Sequence, residues 1–210
     1  MCDPFAKSLG VLIDTNLTFN NQITEISRKG FGMLRQLWRI SSKLNTVTLK
    51  IQMVHSCILS QIDYCNSLYL GLPQKQIKKL QRLLNAAIRF VFNLRSRKFS
   101  ITPYLKKAHI LPVKLRLRFK TCTIVYKCLN GYAPSYLSDL VVKKQSLQSL
   151  RVFEDATLLH VPRLDKQNYR NKRFEIMAPR EWNMIPQDIR QSETLDIFKR
   201  KLKTFLFDQF

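Results

Sequence analysis

The chain has little glycine and very few acidic residues over most of its length. Five glycines occur in 210 residues, and between residues 15 and 138 the only carboxylates are Glu25 and Asp63. The sequence contains no Gly-x-x-x-x-Gly-Lys loop, which cradles phosphates in many nucleotide-hydrolysing enzymes. No two aspartates are adjacent, although polymerases need paired carboxylates to hold two metal ions about 4 Å apart. We therefore predict that this chain has no catalytic residues.

The cysteines form no Cys-x-x-Cys pair, and their number, five, is odd. Such scattered cysteines favour reduced and mostly buried thiols. Two conceivable ligand sets do not match a known zinc spacing and are better explained as core or boundary residues: His55, Cys57 and Cys65, and His109, Cys122 and Cys128. We predict no metal site and no cofactor.

Long apolar runs are also missing. No run approaches the roughly 18 residues of a membrane span, and the N-terminus lacks a basic segment followed by a hydrophobic one. We expect no membrane partner and no secretion. A nuclear or cytoplasmic location follows from this and from the reduced thiols.

Positive charge is abundant and unevenly distributed. Lysine and arginine number 36 against 14 acidic residues, which gives a net charge of +22. Residues 21–100 carry +12 and residues 101–145 carry +8, whereas residues 146–210 carry only +3 and mix both signs. Mixed charge is typical of an ordinary solvated surface, and a strong excess of one sign attracts polyanions. The sequence predicts nucleic acid as the partner and a binding surface before residue 146.

Residues 74–92 have the clearest periodicity in the chain. Apolar residues recur three or four positions apart, which predicts one buried helical face: Ile77, Leu80, Leu84, Ala87, Ile88 and Val91. At about 100° per residue, basic side chains gather on the opposite face: Lys75, Lys78, Lys79, Arg82 and Arg89. A basic helix is often only a soluble one, but the near absence of carboxylates around it favours a functional cationic face.

Similar patterns predict helices over residues 20–41, 46–62, 102–110, 113–129 and 135–142, over 169–182 with a break near Pro179, and from 194 onward. The predicted caps are Asn20 or Asn21, Asn45 or Thr46, and Ser192 or Thr194. The predicted buried stripes are Ile23, Ile26, Met33, Leu37 and Ile40; Val47, Ile51, Val54, Ile58 and Ile62; Leu115, Phe119, Cys122, Tyr126 and Leu129; and Leu195, Phe198, Leu202 and Phe205. Gly30 and Gly32 weaken the first helix and predict close packing or a kink there.

Two short runs, residues 7–14 and 157–161, are strand-like, and residues 143–150 are the best linker candidate. The first strand has no evident partner, so we expect the natural fold to begin before Met1. We expect Asp63, at the end of its helix, to cap the following turn or to pair with a basic side chain.

The predicted fold is mainly α: a thumb-like helical bundle with a short N-terminal β segment and a small α+β C-terminal region. The predicted divisions are residues 1–20, residues 21–145 as a helical nucleic-acid-binding domain, and residues 146–210. The predicted nucleic-acid-binding residues are Arg35, Arg39, Lys75, Lys78, Lys79, Arg82, Arg89, Arg95, Arg97, Lys98, Arg116 and Arg118.

Eight short motifs occur in a familiar order. They are Lys-x-Leu-Gly-Val-x-x-Asp from Lys7, Asp-Tyr-Cys-Asn-Ser-Leu-Tyr-x-Gly-Leu-Pro from Asp63, Leu-Gln-Arg-x-x-Asn-Ala-Ala from Leu80, Leu-Pro-Val from Leu111, Ala-Pro-Ser-Tyr-Leu from Ala133, Val-Pro-Arg from Val161, Ala-Pro-x-x-Trp-Asn-x-Ile-Pro from Ala178 and Phe-Lys-x-x-Leu-Lys from Phe198. Together they resemble the C-terminal third of LINE-type non-LTR retrotransposon reverse transcriptases, and the resemblance spans nearly the whole chain.

This resemblance implies that residues 1–20 are a palm-edge remnant, near the primer-gripping hairpin, and that residues from about 21 to 100 belong to the thumb. It also implies a template–primer partner, either RNA, DNA or an RNA–DNA hybrid, and contact with the palm and fingers of a full-length polymerase. The family's Phe/Tyr-x-Asp-Asp motif, which uses Mg, is absent, as are its fingers and endonuclease. We therefore expect binding without polymerase activity.

Two alternatives remain open. The chain could be a helical protein-interaction module whose basic face meets an acidic protein or membrane surface. It could also fold poorly by itself, because the strand at residues 7–14 lacks a sheet.

Overall fold

The computed structural model describes residues 5–96, 98–144, 157–163 and 173–210. The protein is mainly helical, with a two-stranded antiparallel sheet at its N-terminus, which confirms the predicted fold class. The chain divides into two compact units, Met1–Arg116 and Leu117–Phe210. This division differs from the one predicted after residue 145, because residues 117–129 belong with the C-terminal helices.

The N-terminal β segment is a hairpin and not the single strand that we predicted. Strand β1 (Phe5–Ser8) pairs with β2 (Val11–Asp14), with Ser8 opposite Val11. The two residues between them, Leu9 and Gly10, both have positive φ, at 46° and 82°. Two such residues form the tight turn that suits the twist of a hairpin. The run predicted as one strand, residues 7–14, therefore contains the end of β1, the turn and all of β2.

Asp14 organises the connection from the hairpin to the first long helix. Its carboxylate accepts hydrogen bonds from the backbone N–H groups of Asn16, Thr18 and Phe19, at 3.2, 2.8 and 2.7 Å, and from the Thr18 hydroxyl at 3.1 Å. Partial burial alone would raise the pKa of Asp14, but these donors outweigh it and hold the pKa below the usual value.

Helix α1 (Asn20–Arg39) follows directly, and its capping differs from our prediction. Neither Asn20 nor Asn21 is the capping residue, because the position before the helix is Phe19, in a left-handed conformation. The Asp14 carboxylate bonds the N–H group of Phe19 instead. Two more bonds tie the hairpin to the helices: Leu12 N–H donates to the Gln22 Oε1 at 2.9 Å, and the Tyr64 hydroxyl donates to the Leu9 carbonyl at 2.6 Å.

Helix α4 (Gln74–Val91) is the central helix of the first unit. All six of its predicted apolar residues are buried, as are Leu83 and Phe90. Its contacts with α1 run in sequence order, since Lys79 bonds Thr24, Leu83 meets Gly30, and Phe90 touches Trp38. The two helices therefore pack side by side and point in the same direction.

Gly30 allows this close packing. A Cβ atom at this position would lie 2.4 Å from Cδ2 of Leu83, which is fully buried. Gly32 faces open space, with nothing within 4 Å of the corresponding position. The prediction of close packing is thus confirmed for Gly30. In the same helix the prediction that Met33 is buried is wrong, because Met33 is exposed and Leu34 is buried instead.

Five short helical pieces connect α1 to α4, of which the first and the last are 3-10 turns (Ser41–Lys43 and Asn66–Tyr69). Helix α2 (Val47–Val54) begins at the predicted cap Thr46, whose hydroxyl accepts from Leu49 N–H at 3.2 Å. A π-helical turn (His55–Leu59) and α3 (Ser60–Asp63) continue it. Of the predicted stripe, Val54, Ile58 and Ile62 are buried, whereas Val47 is exposed and Ile51 is only half-buried. Ile40, predicted for the stripe of α1, is also exposed.

Helix α5 (Thr102–Lys107) has Pro103 in its first turn, as predicted, and α6 (Val113–Leu129) has the predicted bounds. The stripe predicted for α6 is only partly right. Cys122 and Tyr126 are buried, but so are residues from other faces: Val113, Leu117, Thr121, Thr123, Val125 and Cys128. A helix covered on several sides does not show a single apolar stripe.

The second unit contains the rest of α6 with α7 (Ser135–Ser138), α8 (Phe174–Asn183), α9 (Gln187–Arg190) and α10 (Leu195–Asp208). Thr194 caps α10 as predicted, since its hydroxyl accepts from Ile197 N–H at 3.3 Å. Phe198 is the centre of the core and stacks on Tyr126 and Trp182, with ring centroids 4.5 and 5.6 Å apart.

Two predictions for this unit are wrong. Helix α8 continues through Pro179, which is buried, without the predicted break. Residues 157–161 form no strand among the described residues but a single bridge, between Leu159 and Lys143. The predicted linker falls mostly on residues 145–150, which lie outside the described residues, as does the start of the helix predicted from residue 169.

The extended segment is held by side chains of α8 and α9 instead of by a sheet. The Trp182 indole N–H donates to the Thr157 carbonyl at 2.8 Å. The Asn183 amide bonds both backbone groups of Leu159, at 2.9 and 2.8 Å. The buried Arg190 donates to the Thr157 hydroxyl at 2.9 Å. The Trp-Asn pair of the sequence motif therefore has a structural role.

The contact at Gly30 generates a first prediction. We expect Gly30→Ala to destabilise the protein by about 1–3 kcal/mol, because a methyl group there overpacks against Leu83. Gly32→Ala is the matched control in the same helix, and it should stabilise by up to about 1 kcal/mol, because only helix propensity changes. Urea unfolding of both variants measures the two free energies. Equal effects of the two substitutions would contradict the packing explanation.

Asp14 generates a second prediction, on pH dependence. Because its folded pKa is lowered, the stability it contributes is fully present above about pH 4, the ordinary Asp pKa, and is lost as the pH falls through the lowered value. We expect Asp14→Asn to lower the free energy of unfolding at pH 6 by about 1 kcal/mol. The difference from the parent protein should shrink in acid, because a protonated Asp14 resembles asparagine. Denaturant unfolding from pH 2.5 to 7 tests this, with the exposed Asp139→Asn as control; a constant difference would contradict it.

Candidate nucleic-acid interface

The first unit carries most of the predicted binding residues, and many of them are exposed on α1, on α4 and in the loop after α4. In α4, Lys75, Lys78 and Arg82 are exposed, and they lie on one helical face with Arg89. Arg35 and Arg39 are exposed on α1, which packs beside α4. Arg95 and Lys98 are exposed in the loop after α4, and Arg97 lies outside the described residues. We call the seven exposed residues the cationic surface: Arg35, Arg39, Lys75, Lys78, Arg82, Arg95 and Lys98.

Two further predicted residues of α4 have internal partners. The Lys79 ammonium donates to the Thr24 hydroxyl at 3.4 Å. The Arg89 guanidinium donates to the carbonyl oxygens of Ser96 and Phe99, at 2.6 and 3.2 Å. Arg89 therefore orders the loop that carries Arg95 and Lys98, and it still leaves positive charge beside that loop.

Arg116 and Arg118 are both paired with carboxylates. Arg116 makes a two-pronged ion pair with Asp63, with Nε 2.8 Å from Oδ1. Arg118 lies 2.8 Å from Glu181 and also donates to the Gln209 amide at 2.9 Å. Neither guanidinium is open to an external phosphate in the way that Lys78 is, so we leave both out of the cationic surface.

Both roles predicted for Asp63, capping the following turn and pairing with a basic side chain, are confirmed. Besides pairing with Arg116, its carboxylate accepts a hydrogen bond from the Asn66 amide at 3.3 Å, in the turn that follows α3. The motif Asp-Tyr-Cys-Asn therefore fixes a turn in which Cys65 adopts a positive φ of 51°.

A groove lies between the outer faces of α1 and α4, with a volume of about 760 Å³. Phe31 and Trp38 line it from α1, and the remaining lining residues come from α4 and its following loop: Arg82, Asn85, Ala86, Arg89, Leu94 and Arg95. We call it the aromatic groove. Phe31 and Trp38 are large apolar side chains with 43% and 38% of their surfaces exposed.

Phe31 and Trp38 were not among the residues predicted from the sequence, which were the buried stripe of α1 and the basic residues. The signal for them lies on the outer face of α1. Phe31, Arg35 and Trp38 stand four and three positions apart, so they share one face of a helix. Aromatic residues interleaved with arginine on the exposed face of a helix indicate a binding surface.

The described carboxylates of this unit are already engaged elsewhere. In the described part of residues 5–116, Asp14 bonds backbone N–H groups, Asp63 pairs with Arg116, and Glu25 pairs with Arg28 and Lys29 at 2.8 and 3.3 Å. The hydrogen bond from Arg28 lowers the pKa of Glu25 to about 2. Within those residues no acidic side chain remains to neutralise Arg82 or Arg95, so the aromatic groove is electropositive.

The described residues offer little for metal or thiol chemistry. They contain no group of three or more His, Cys, Asp or Glu side chains that could hold a metal ion. Burial raises the pKa of the Cys122 thiol, with a smaller contribution from Glu181, which keeps this thiol protonated and unreactive. Among the described helices none has the length and apolar character needed to cross a bilayer.

Comparisons of the chain with protein-family models, with curated proteins and with solved structures find no match. The resemblance of its motifs to LINE-type reverse transcriptases therefore stays a prediction.

The ion pair of Arg116 generates a third prediction. We expect Arg116→Met to lower the free energy of unfolding by about 1–2 kcal/mol, because it leaves the partly buried Asp63 without its charged donor. The control Lys114→Met removes an exposed charge two residues earlier and should have little effect. A double-mutant cycle with Asp63→Asn isolates the pair. Additive effects of the two substitutions would show that the pair contributes nothing.

Proposed function

We propose that this chain binds the sugar–phosphate backbone of nucleic acid and has no catalytic activity of its own. The cationic surface carries this proposal: exposed basic residues from α1, α4 and the following loop lie on one unit whose described carboxylates are all engaged elsewhere. Such a surface neutralises phosphates and releases their counterions, which supplies affinity without base specificity.

We propose further that the chain is the C-terminal part of a LINE-type reverse transcriptase. The cationic surface would then belong to the thumb of that polymerase. A thumb needs one apolar helical face for its own packing and one cationic face for the template–primer. Helix α4 has both, because its buried residues pack within the unit while Lys75, Lys78 and Arg82 stay exposed. An A-form hybrid would be held by shape and 2′-hydroxyls more than by sequence.

Charge removal at the start of α4 tests the proposal. We expect Lys75→Gln with Lys78→Gln to weaken binding to an RNA–DNA hybrid equally for all sequences. The slope of log affinity against log salt should fall by roughly 0.9 for each phosphate that the variant no longer neutralises. Fluorescence anisotropy titrations at several salt concentrations measure both quantities.

The matched control removes two charges from the second unit, at the exposed Arg200 and Lys203 of α10. Arg200→Gln with Lys203→Gln should leave the affinity and the slope close to those of the parent protein. Equal reductions of affinity in both double variants would mean that only net charge matters. An affinity that does not change with salt would exclude a phosphate grip, and capture of an acidic protein that resists nuclease would favour the protein-interaction alternative.

A further inference from the structure

We propose that the aromatic groove is a subsite for single-stranded nucleic acid, in which unpaired bases stack on Trp38 and Phe31 while arginines hold the adjoining phosphates. This inference rests on the proposed function and adds to it a specific class of ligand. The cationic surface alone needs only phosphates, which single strands and duplexes share.

The two walls of the groove differ in chemistry. Phe31 and Trp38 stand seven residues apart on α1, which places them two turns and about 10 Å from each other along the helix. Arg82 and Arg89 have the same separation on α4. Because α1 and α4 point in the same direction, a row of rings faces a row of guanidinium groups along the groove.

The Trp38 ring is held in place while remaining accessible. Trp38 makes an edge-to-face contact with the buried Phe90, with centroids 5.2 Å apart and planes at 79°. Lys50 lies 5.6 Å from the Phe90 centroid and supports this ring in turn. A fixed and partly exposed indole loses little conformational freedom when a flat ligand stacks on it.

The end of the groove is also ordered. Arg89 bonds the carbonyl oxygens of Ser96 and Phe99, and this holds the loop that places Arg95 at the lining. Arg82 and Arg95 are exposed, and within the described part of the unit they have no carboxylate partner. The charge of the groove is therefore complementary to a polyanion.

These observations favour a single strand over a duplex. Aromatic side chains stack on the face of a base, and that face is covered by neighbouring bases in a helix but open in a single strand. Arginine adds cation–π and phosphate contacts that tolerate any sequence. Phosphates alone would not require exposed aromatic side chains at this place.

The test compares two substitutions of Trp38 on two ligands, a labelled oligothymidine of about 15 nucleotides and an RNA–DNA hybrid of equal length. We expect Trp38→Leu to weaken single-strand binding about tenfold and to leave hybrid binding within about twofold. Trp38→Phe retains an aromatic face and should bind the single strand nearly as the parent protein does. Tyr136→Leu removes an exposed aromatic ring from the second unit and serves as control.

Tryptophan fluorescence gives a second readout. The only other tryptophan, Trp182, is buried in the second unit, so a base that stacks on Trp38 should quench the emission of Trp38 alone. Quenching by oligothymidine should disappear in Trp38→Phe although binding persists. If Trp38→Leu proves unstable, Phe31→Leu replaces it in the test. This variant leaves Trp38 in place, and it should weaken single-strand binding without changing the thermal transition.

Each outcome separates the two proposals. If Trp38→Leu and Phe31→Leu leave single-strand affinity unchanged while Lys75→Gln with Lys78→Gln weakens binding of both ligands, the subsite is wrong and the phosphate grip stands. If Lys75→Gln with Lys78→Gln changes the affinity for neither ligand, the proposed phosphate grip is wrong, whatever the result for the groove. If a polyglutamate peptide quenches Trp38 and oligothymidine does not, the groove accepts an acidic protein and the inference is overturned.

Discussion

The close packing of α1 against α4 is the contact on which the first unit depends. Gly30 has no side chain at the point where the fully buried Leu83 approaches, and this lets two parallel helices lie side by side. The same contact decides what their outer faces present. It brings the rings of α1 and the guanidinium groups of α4 to opposite walls of one groove, so a change in helix spacing would alter both the core and the surface.

The positions of the few acidic residues in this unit determine its electrostatic field as much as the many basic residues do. The three carboxylates in the described part of residues 5–116 each have a local structural task, at a helix start, along a helix surface and in a turn. None is placed where it would neutralise the aromatic groove. A net charge of +22 alone would indicate only general attraction to polyanions, whereas this placement concentrates the field on one surface.

Prediction from the sequence succeeded where one local rule dominated. The stripe from Ile77 to Val91, the caps Thr46 and Thr194, and the pairing of Asp63 follow from spacing and capping chemistry. It was wrong where tertiary contacts decide. Packing carries α8 through Pro179, and α6 is covered on several sides. The aromatic groove needed knowledge of which helix lies beside α1, and a periodic pattern does not contain that information.

The ties of the hairpin to the helices have a mechanical consequence. Asp14 bonds the start of α1, Leu12 bonds Gln22, and Tyr64 bonds the turn at Leu9, so the hairpin has three separate points of attachment. A displacement of the hairpin from α1 would therefore break several hydrogen bonds at once. Among the described residues β1 pairs only with β2, so these bonds also hold the outer edge of β1, with its unpaired backbone groups, at a fixed place beside α1.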